Sequence, residues 1–248
     1  MTQPSRVVFG ERRPRRSRWL IPLAVALLLL PWLRTLRERP VRMPVPISQR
    51  TAAALDVVMI LDDSGSEYGP NGTDGEGLRY RGARSAVNVL AAQGIGYDDR
   101  LGIVHFGDDT VSDGIFHHLD SDGLTGLQRA LRVPPSSLGG TQFHAAFDAV
   151  TKFEKAPSGR KRVVVLFTDG VASDSSQQID ASLHSLGRVS LRVFLFNRSA
   201  AARSQFGEAR KFWAARATSV DVLTDLRGNR VERSFALAIY RQLGVQTR

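Results

Sequence analysis

The sequence predicts an open, doubly wound α/β domain with a mostly parallel central sheet flanked by helices. Three observations carry this. Short apolar runs alternate with stretches of helical periodicity over about 200 residues, the pattern of repeated strand–helix units. Two of the runs, Leu55–Leu61 (LDVVMIL) and Arg162–Phe167 (RVVVLF), are apolar at nearly every position, as strands covered on both faces are. Oxygen-bearing side chains cluster just after those two runs, at the strand ends where doubly wound sheets collect their ligands.

In chain order, residues 1–18 read as a basic tail, 19–36 as a membrane anchor, 37–50 as a Pro-rich linker and 51–248 as the α/β domain. Residues 1–50 hold eleven arginines against Glu11 and Glu38, so almost all of the chain's net charge of +10 lies there. Between Asp56 and Asp122, thirteen acids face only four bases. The basic character therefore belongs to the tail, and a nucleic-acid surface is not expected on the domain. The fifteen uncharged residues Trp19–Leu33 fall short of the roughly 20 that usually cross a bilayer. Flanking arginines that snorkel and the interfacial Trp19 and Trp32 offset the deficit. A small-residue cleavage site is missing after Leu30, and Arg18 stands where a twin-arginine signal prefers an apolar residue, so an uncleaved anchor is favoured. Six arginines precede the span and four, Arg34, Arg37, Arg39 and Arg42, stand just after it, which sets the N-terminus in the cytoplasm. The expected arrangement is a single pass through the inner membrane with the domain on the periplasmic or extracytoplasmic side.

Within the domain, Arg79–Gln93 has helical spacing of Ala83, Ala86, Val87 and Leu90 and stops at Gly94. Leu101–Phe106 is a strand, Gly114–Leu119 an edge strand beside it, and Leu124–Leu131 a short helix. Thr141–Phe153 is helical with Phe143, Ala146, Phe147, Val150 and Phe153 on one face. Helix and strand then alternate twice: Gln177–Leu186 with Leu191–Phe196, and Ser204–Ala217 with Val220–Leu223. Val231–Leu243 closes the chain as a helix. Glu67–Gly77, rich in glycine and acids, reads as a flexible loop, and Asp98-Asp99 and Asp108-Asp109 as solvated turns. His105, His117 and His118 lack a metal-ligand spacing and read as packing or surface residues. Phe206, Phe212 and Trp213 read as core.

The chemistry centres on Asp62, Ser64 and Ser66, three alternate positions after the first apolar strand. A carboxylate and two hydroxyls are hard oxygen donors suited to Mg2+. Asp169 follows the central strand, and Thr141, after Gly139-Gly140, stands before a helix; a doubly wound sheet brings both to the rim that holds Asp62. With no cysteine in the chain, disulfides, thiolate metal sites and cysteine nucleophiles are excluded.

These residues resemble the von Willebrand factor type A family. The match spans roughly residues 54–244 and rests on DVVMILDDSGS at the first strand, GGTQF in the middle loop and VVVLFTDG at the central strand. The resemblance implies a complete metal-ion-dependent adhesion site in a Rossmann-like fold. Ser64, Ser66 and Thr141 would give hydroxyls to the metal, and Asp62 and Asp169 carboxylates, often through water. The ion implied is Mg2+, with Mn2+ or Ca2+ as alternatives, and its open position would take an Asp or Glu from a protein partner. Asp63 inside the motif and the long loop Glu67–Gly77 depart from the family pattern. Bacterial relatives of this shape resemble proteins encoded beside MoxR-type ATPases, which are thought to assist assembly or metal insertion of envelope enzymes such as methanol dehydrogenase.

Two other classes stay open. A metal-dependent phosphohydrolase would use Asp62 as nucleophile, but a haloacid-dehalogenase-like enzyme would carry a second Asp where Ser64 stands. No G-x-S-x-G elbow or Walker A loop is present. A structural domain with an empty site is the third reading. A non-enzymatic interaction module leads.

Overall fold

The first apolar run forms β1 (Leu55–Asp62), buried at all eight positions. Its neighbours are β2 (Arg100–Phe106) on one side and β5 (Lys161–Thr168) on the other, both parallel to it. β6 (Ser190–Phe196) and β7 (Ser219–Leu223) extend the sheet beyond β5, also parallel. Beyond β2 lie two antiparallel pieces, β3 (Thr110–Val111) and β4 (His117–His118). The order is β3-β2-β1-β5-β6-β7, with β4 also on β2. The direction of winding reverses at β1, so the crevice between the C-terminal ends of β1 and β5 is the switch point.

This computed structural model describes residues 54–68, 72–74, 77–93, 98–132, 136–154, 160–196 and 203–223. The expected anchor, linker and helix Val231–Leu243 lie outside them. Among the described residues no helix is long and apolar enough to cross a membrane.

Alternation along the strands sorts the apolar side chains into two cores. Val57, Met59 and Leu61 of β1 face α1 (Leu78–Gln93) and α2 (Ser121–Ala130), packing with Tyr80, Ala83, Leu90 and Leu127. Val58 and Ile60 face the other side, where α3 (Phe143–Thr151), α4 (Ser176–Ser185) and α5 (Arg203–Ala214) bring Phe143, Phe147, Ile179 and Trp213. Trp213 is fully buried, while Phe206 and Phe212 are partly buried against the same core.

Several boundaries differ from the sequence reading for local reasons. The expected edge strand Gly114–Leu119 is reduced to His117–His118. Between the two short strands the Ser112 hydroxyl donates to the Ile103 carbonyl at 2.7 Å, and Gly114 turns the chain at φ +67°. α2 begins at Ser121 because the Asp120 carboxylate caps it, accepting from the Gly123 N–H at 2.8 Å. α3 starts at Phe143 because the backbone of Thr141 and Gln142 is committed to neighbouring loops. The Thr141 carbonyl accepts from the Ser173 N–H at 2.8 Å, and the Gln142 N–H donates to the Gly107 carbonyl at 3.0 Å. Asp99 is not solvated. It is buried and accepts from the Leu55 N–H at 2.8 Å, fixing the start of β1.

At the N-terminal end of the sheet, buried Asp56 accepts from Arg100 Nε and Nη2 at 3.0 Å each and from Arg160 Nε at 2.7 Å. Burial alone would raise this carboxyl, but hydrogen bonds and charge from Arg100 and Arg160 hold it below the usual carboxylate range. Its contribution to stability is therefore present above the ordinary pKa of 3.8 and is lost as pH falls through the lower folded value. Asp56→Ala leaves the two arginines without their shared anion and should cost about 3–5 kcal/mol in urea unfolding at neutral pH; a loss below about 1 kcal/mol, the range of a surface pair, would contradict the assignment.

Candidate metal centre

Asp62 is the last residue of β1 and is wholly buried. Its Oδ1 accepts from the Ser64 N–H at 3.0 Å, which folds the next two residues into a tight turn, and its Oδ2 accepts from the Thr168 hydroxyl at 2.5 Å. The same Thr168 oxygen accepts from the Gly170 N–H at 2.9 Å, so one side chain ties β1 to the turn after β5. The Ser64 and Ser66 hydroxyls lie 3.1 Å apart. Ser66 belongs to a short 3-10 turn, Gly65–Glu67, within the loop that follows β1.

Asp169 follows β5 and is 7% exposed; its Oδ1 accepts from the Val171 N–H at 3.0 Å. Gly170 makes the turn possible. Its φ is +84°, and a side chain there would come within 2.9 Å of Ala209 and Leu195. Thr141 arrives on a third loop, joined to the motif by the Gly65 N–H donating to the Gly139 carbonyl at 2.6 Å. Gly139, at φ +88°, lies so close to Asp108 that a Cβ would meet its carboxylate at 2.3 Å. The buried Thr141 has its own N–H held by the Ser173 hydroxyl at 3.1 Å.

Asp62 and Asp169 are thus brought together with the Ser64–Ser66 pair, and Thr141 on the adjoining loop. The structure adds a residue that sequence reasoning missed. Glu67 is fully buried rather than part of a flexible loop, and one carboxylate oxygen each from Asp62, Glu67 and Asp169 lie within 4.8 Å of one another. Glu67 Oε2 accepts from the Thr73 hydroxyl at 2.9 Å, and that hydroxyl also lies 3.4 Å from Asp169 Oδ2. Glu67 Oε1 is buried with no hydrogen-bond partner among the described residues. The only sequence signal was an acid directly after the second serine of the motif.

Three carboxylates this close and this dry cannot all stay ionised without a positive charge among them. Burial, then the charge of Asp169, pushes the Asp62 carboxyl up to about 7, against hydrogen bonds from Ser64 and Thr168 that pull it down. Burial, then Asp62 and Asp169, pushes Glu67 well above the usual carboxylate range, with Arg79 opposing. The donor set is entirely hard oxygen: carboxylates and hydroxyls, no sulfur and no imidazole. It fits a divalent cation such as Mg2+, Mn2+ or Ca2+, which would supply the missing charge.

Behind the turn, Asp63 organises a buried network. Its Oδ1 accepts from Arg79 Nη2 at 2.8 Å, the Tyr80 hydroxyl at 2.6 Å and the Tyr68 hydroxyl at 3.2 Å. His105 spans Asp63 Oδ2 at 2.7 Å and the Ala130 carbonyl at 2.6 Å. Asp74 takes Arg79 Nη1 at 2.8 Å and the backbone N–H groups of Leu78 and Arg79, anchoring the start of α1. Burial would raise Asp63, but His105, Arg79 and Tyr80 hold it below the usual range. Asp63 therefore serves as a permanent anion that fixes the loop from inside. A cavity of about 690 Å3 lined by Ile103, His105, Val111, Arg129 and Leu138 lies on the far side of this network, and none of the clustered carboxylates lines it. His117 and His118 pair with Asp113 at 2.7 Å and Asp98 at 2.8 Å, away from the cluster.

Comparison with known proteins bears on the fold. Residues 57–171, a span that contains Asp62, Ser64, Ser66, Glu67, Thr141 and Asp169, match the family model of the von Willebrand factor type A domain. No curated protein matches the chain. Among solved structures, the chain is similar to an aerotolerance-related membrane protein from Bacteroides fragilis, with 18% identity, TM-score 0.52, and 77% of this chain and 99% of that one covered. It is similar to the manganese-loaded TRAP protein of Plasmodium vivax, with 20% identity, TM-score 0.55, and 82% and 78% covered. It is also similar to the pilus adhesin SpaC of Lactobacillus rhamnosus GG, with 13% identity and TM-score 0.60; 79% of this chain but only 30% of the adhesin is covered. At these identities the likeness is one of fold. The sheet order, the flanking helices and the match over residues 57–171 identify the fold as the Rossmann-like α/β fold of von Willebrand factor type A domains.

Proposed function

We propose that residues 51–248 form a membrane-tethered interaction module that grips a protein partner through a divalent cation. Asp62, Ser64, Ser66, Thr141 and Asp169 hold the ion, Mg2+ in the first instance, with Mn2+ or Ca2+ as alternatives. The observation that carries this reading is the convergence of Asp62, Glu67 and Asp169 carboxylate oxygens within 4.8 Å at the switch point, beside the Ser64–Ser66 hydroxyl pair. Once bound, the ion offers a coordination position to an incoming Asp or Glu of the partner. The chain's own part is to hold the donors in place: Thr168 and the Ser64 N–H orient Asp62, the Val171 N–H orients Asp169, and Ser173 fixes the backbone of Thr141. Asp62 is wholly buried with both oxygens engaged, which suits a positioning carboxylate and not the attacking nucleophile of a phosphohydrolase.

Residues 19–36 anchor the chain in the inner membrane, the linker 37–50 spaces the domain from it, and the domain faces the extracytoplasmic side. The fold shared with an aerotolerance-related membrane protein favours a membrane setting, and the fold shared with a pilus adhesin favours a role in adhesion. In this setting the module assists assembly or metal insertion of an envelope enzyme.

Asp169→Ala or Asp62→Ala should lower divalent affinity by about 100-fold or more, since loss of even an outer partner of a metal ligand costs about 10–100-fold. Affinity capture from membrane extract with the detergent-solubilised chain should recover a partner in Mg2+, and lose it with EDTA or in either variant. Capture indifferent to both would sink the proposal. Stability should report the same site. A folded pKa near 7 for Asp62, against 3.8 in the unfolded chain, means the metal-free fold loses stability as pH rises through that interval. Mg2+ should therefore raise the melting temperature more at about pH 8 than at about pH 5.5, where protons stand in for the ion. An equal shift at both would contradict this.

A further inference from the structure

Glu67 is not among the five residues assigned above to the metal, yet its surroundings leave it little else to do. It is fully buried, and Oε1 has no partner among the described residues. Among the described residues its basic neighbour is Arg79, whose Nη1 lies 4.0 Å from Oε2. The guanidinium is already committed: Nη2 and Nε donate to Asp63 at 2.8 and 3.3 Å, and Nη1 donates to Asp74 at 2.8 Å. Arg79 therefore gives Glu67 a charge at 4.0 Å but no hydrogen bond, and leaves Oε1 without a partner among the described residues. Among the described residues, the carboxylates that converge on it within 4.8 Å are Asp62 and Asp169, both anionic when charged. A buried carboxylate with a free oxygen, placed among two further carboxylates, is arranged for a cation.

We infer that Glu67 is a resident ligand of the divalent cation, so that three carboxylates, not two, surround the ion. This rests on the metal reading given above. The third anion overbalances the dication, which strengthens retention of the ion in the free protein and makes binding of the metal independent of a partner's carboxylate. Thr73, with its hydroxyl 2.9 Å from Glu67 Oε2, positions that side chain.

The test uses the full chain in detergent with Mn2+ as probe, comparing wild type, Glu67→Gln, Glu67→Met and Asp169→Ala by calorimetric titration and thermal melting. Glu67→Gln should weaken Mn2+ binding by about tenfold or more, in line with loss of a charged ligand. In EDTA, both Glu67 variants should melt at or above the wild-type temperature, because a buried carboxyl group with an unpartnered oxygen has been removed from beside two others, and Mn2+ should then stabilise them less than it stabilises wild type. A structural role would give the reverse: lower melting in EDTA with Mn2+ affinity unchanged. Wild-type affinity in Glu67→Gln alongside lost binding in Asp169→Ala would overturn the inference and leave the five-residue site standing. Absence of Mn2+ binding by the wild type would overturn both. Glu67→Met keeps the test decisive if the Gln variant does not fold.

Discussion

Like charge held out of water is the constraint around which this domain is arranged. Asp62, Glu67 and Asp169 converge at the gap between β1 and β5, where the sheet reverses its winding. Each carboxylate costs several kcal/mol to desolvate and repels the other two, so the arrangement is stable only when protons or a cation share the space. The same three groups cannot be explained by hydrophobic packing, which is complete without them: both faces of β1 are already filled by Val57, Met59 and Leu61 on one side and Val58 and Ile60 on the other.

Two polar clusters bracket β1 and let the strand hold so much charge at its tip. At its start, Asp56 is neutralised by Arg100 and Arg160. Just past its end, Asp63 is neutralised by Arg79 and satisfied further by Tyr80, Tyr68 and His105. Both clusters are closed, with each anion met by a cation. The contrast with Asp62, Glu67 and Asp169 is what sets their cluster apart: of the described acids buried along this strand and its loop, those three are the ones left facing one another. Adjacent residues in the chain, Asp62 and Asp63, thereby stand in opposite surroundings, one facing two further carboxylates and one locked into the scaffold by Arg79.

Much of this was legible in the residues. The near-continuous apolar runs LDVVMIL and RVVVLF gave the two central strands within a residue, because a parallel strand buried on both faces has no alternation to confuse. The placement of Asp62 and Asp169 at the ends of those strands follows from the same runs. Glu67 was not legible. An acid followed by glycines, asparagine and threonine has the composition of a solvated loop, and only the three-dimensional convergence of Thr73, Asp169 and Asp62 shows that its side chain turns inward. Asp99 was misread for a related reason: its burial depends on a hydrogen bond to Leu55, forty-four positions away. The split edge at β3 and β4 depends on one serine hydroxyl bonding a strand carbonyl, which periodicity does not report.

Crystals of the domain soaked in Mn2+ and measured at the manganese absorption edge address the central claim most directly. A single anomalous peak should appear among Ser64, Ser66, Asp62, Glu67 and Asp169, with at least one carboxylate oxygen at about 2.1–2.3 Å from it. No peak there at saturating Mn2+, in a domain that keeps the side-chain arrangement described above, would contradict the claim that these buried carboxylates exist to hold a divalent ion.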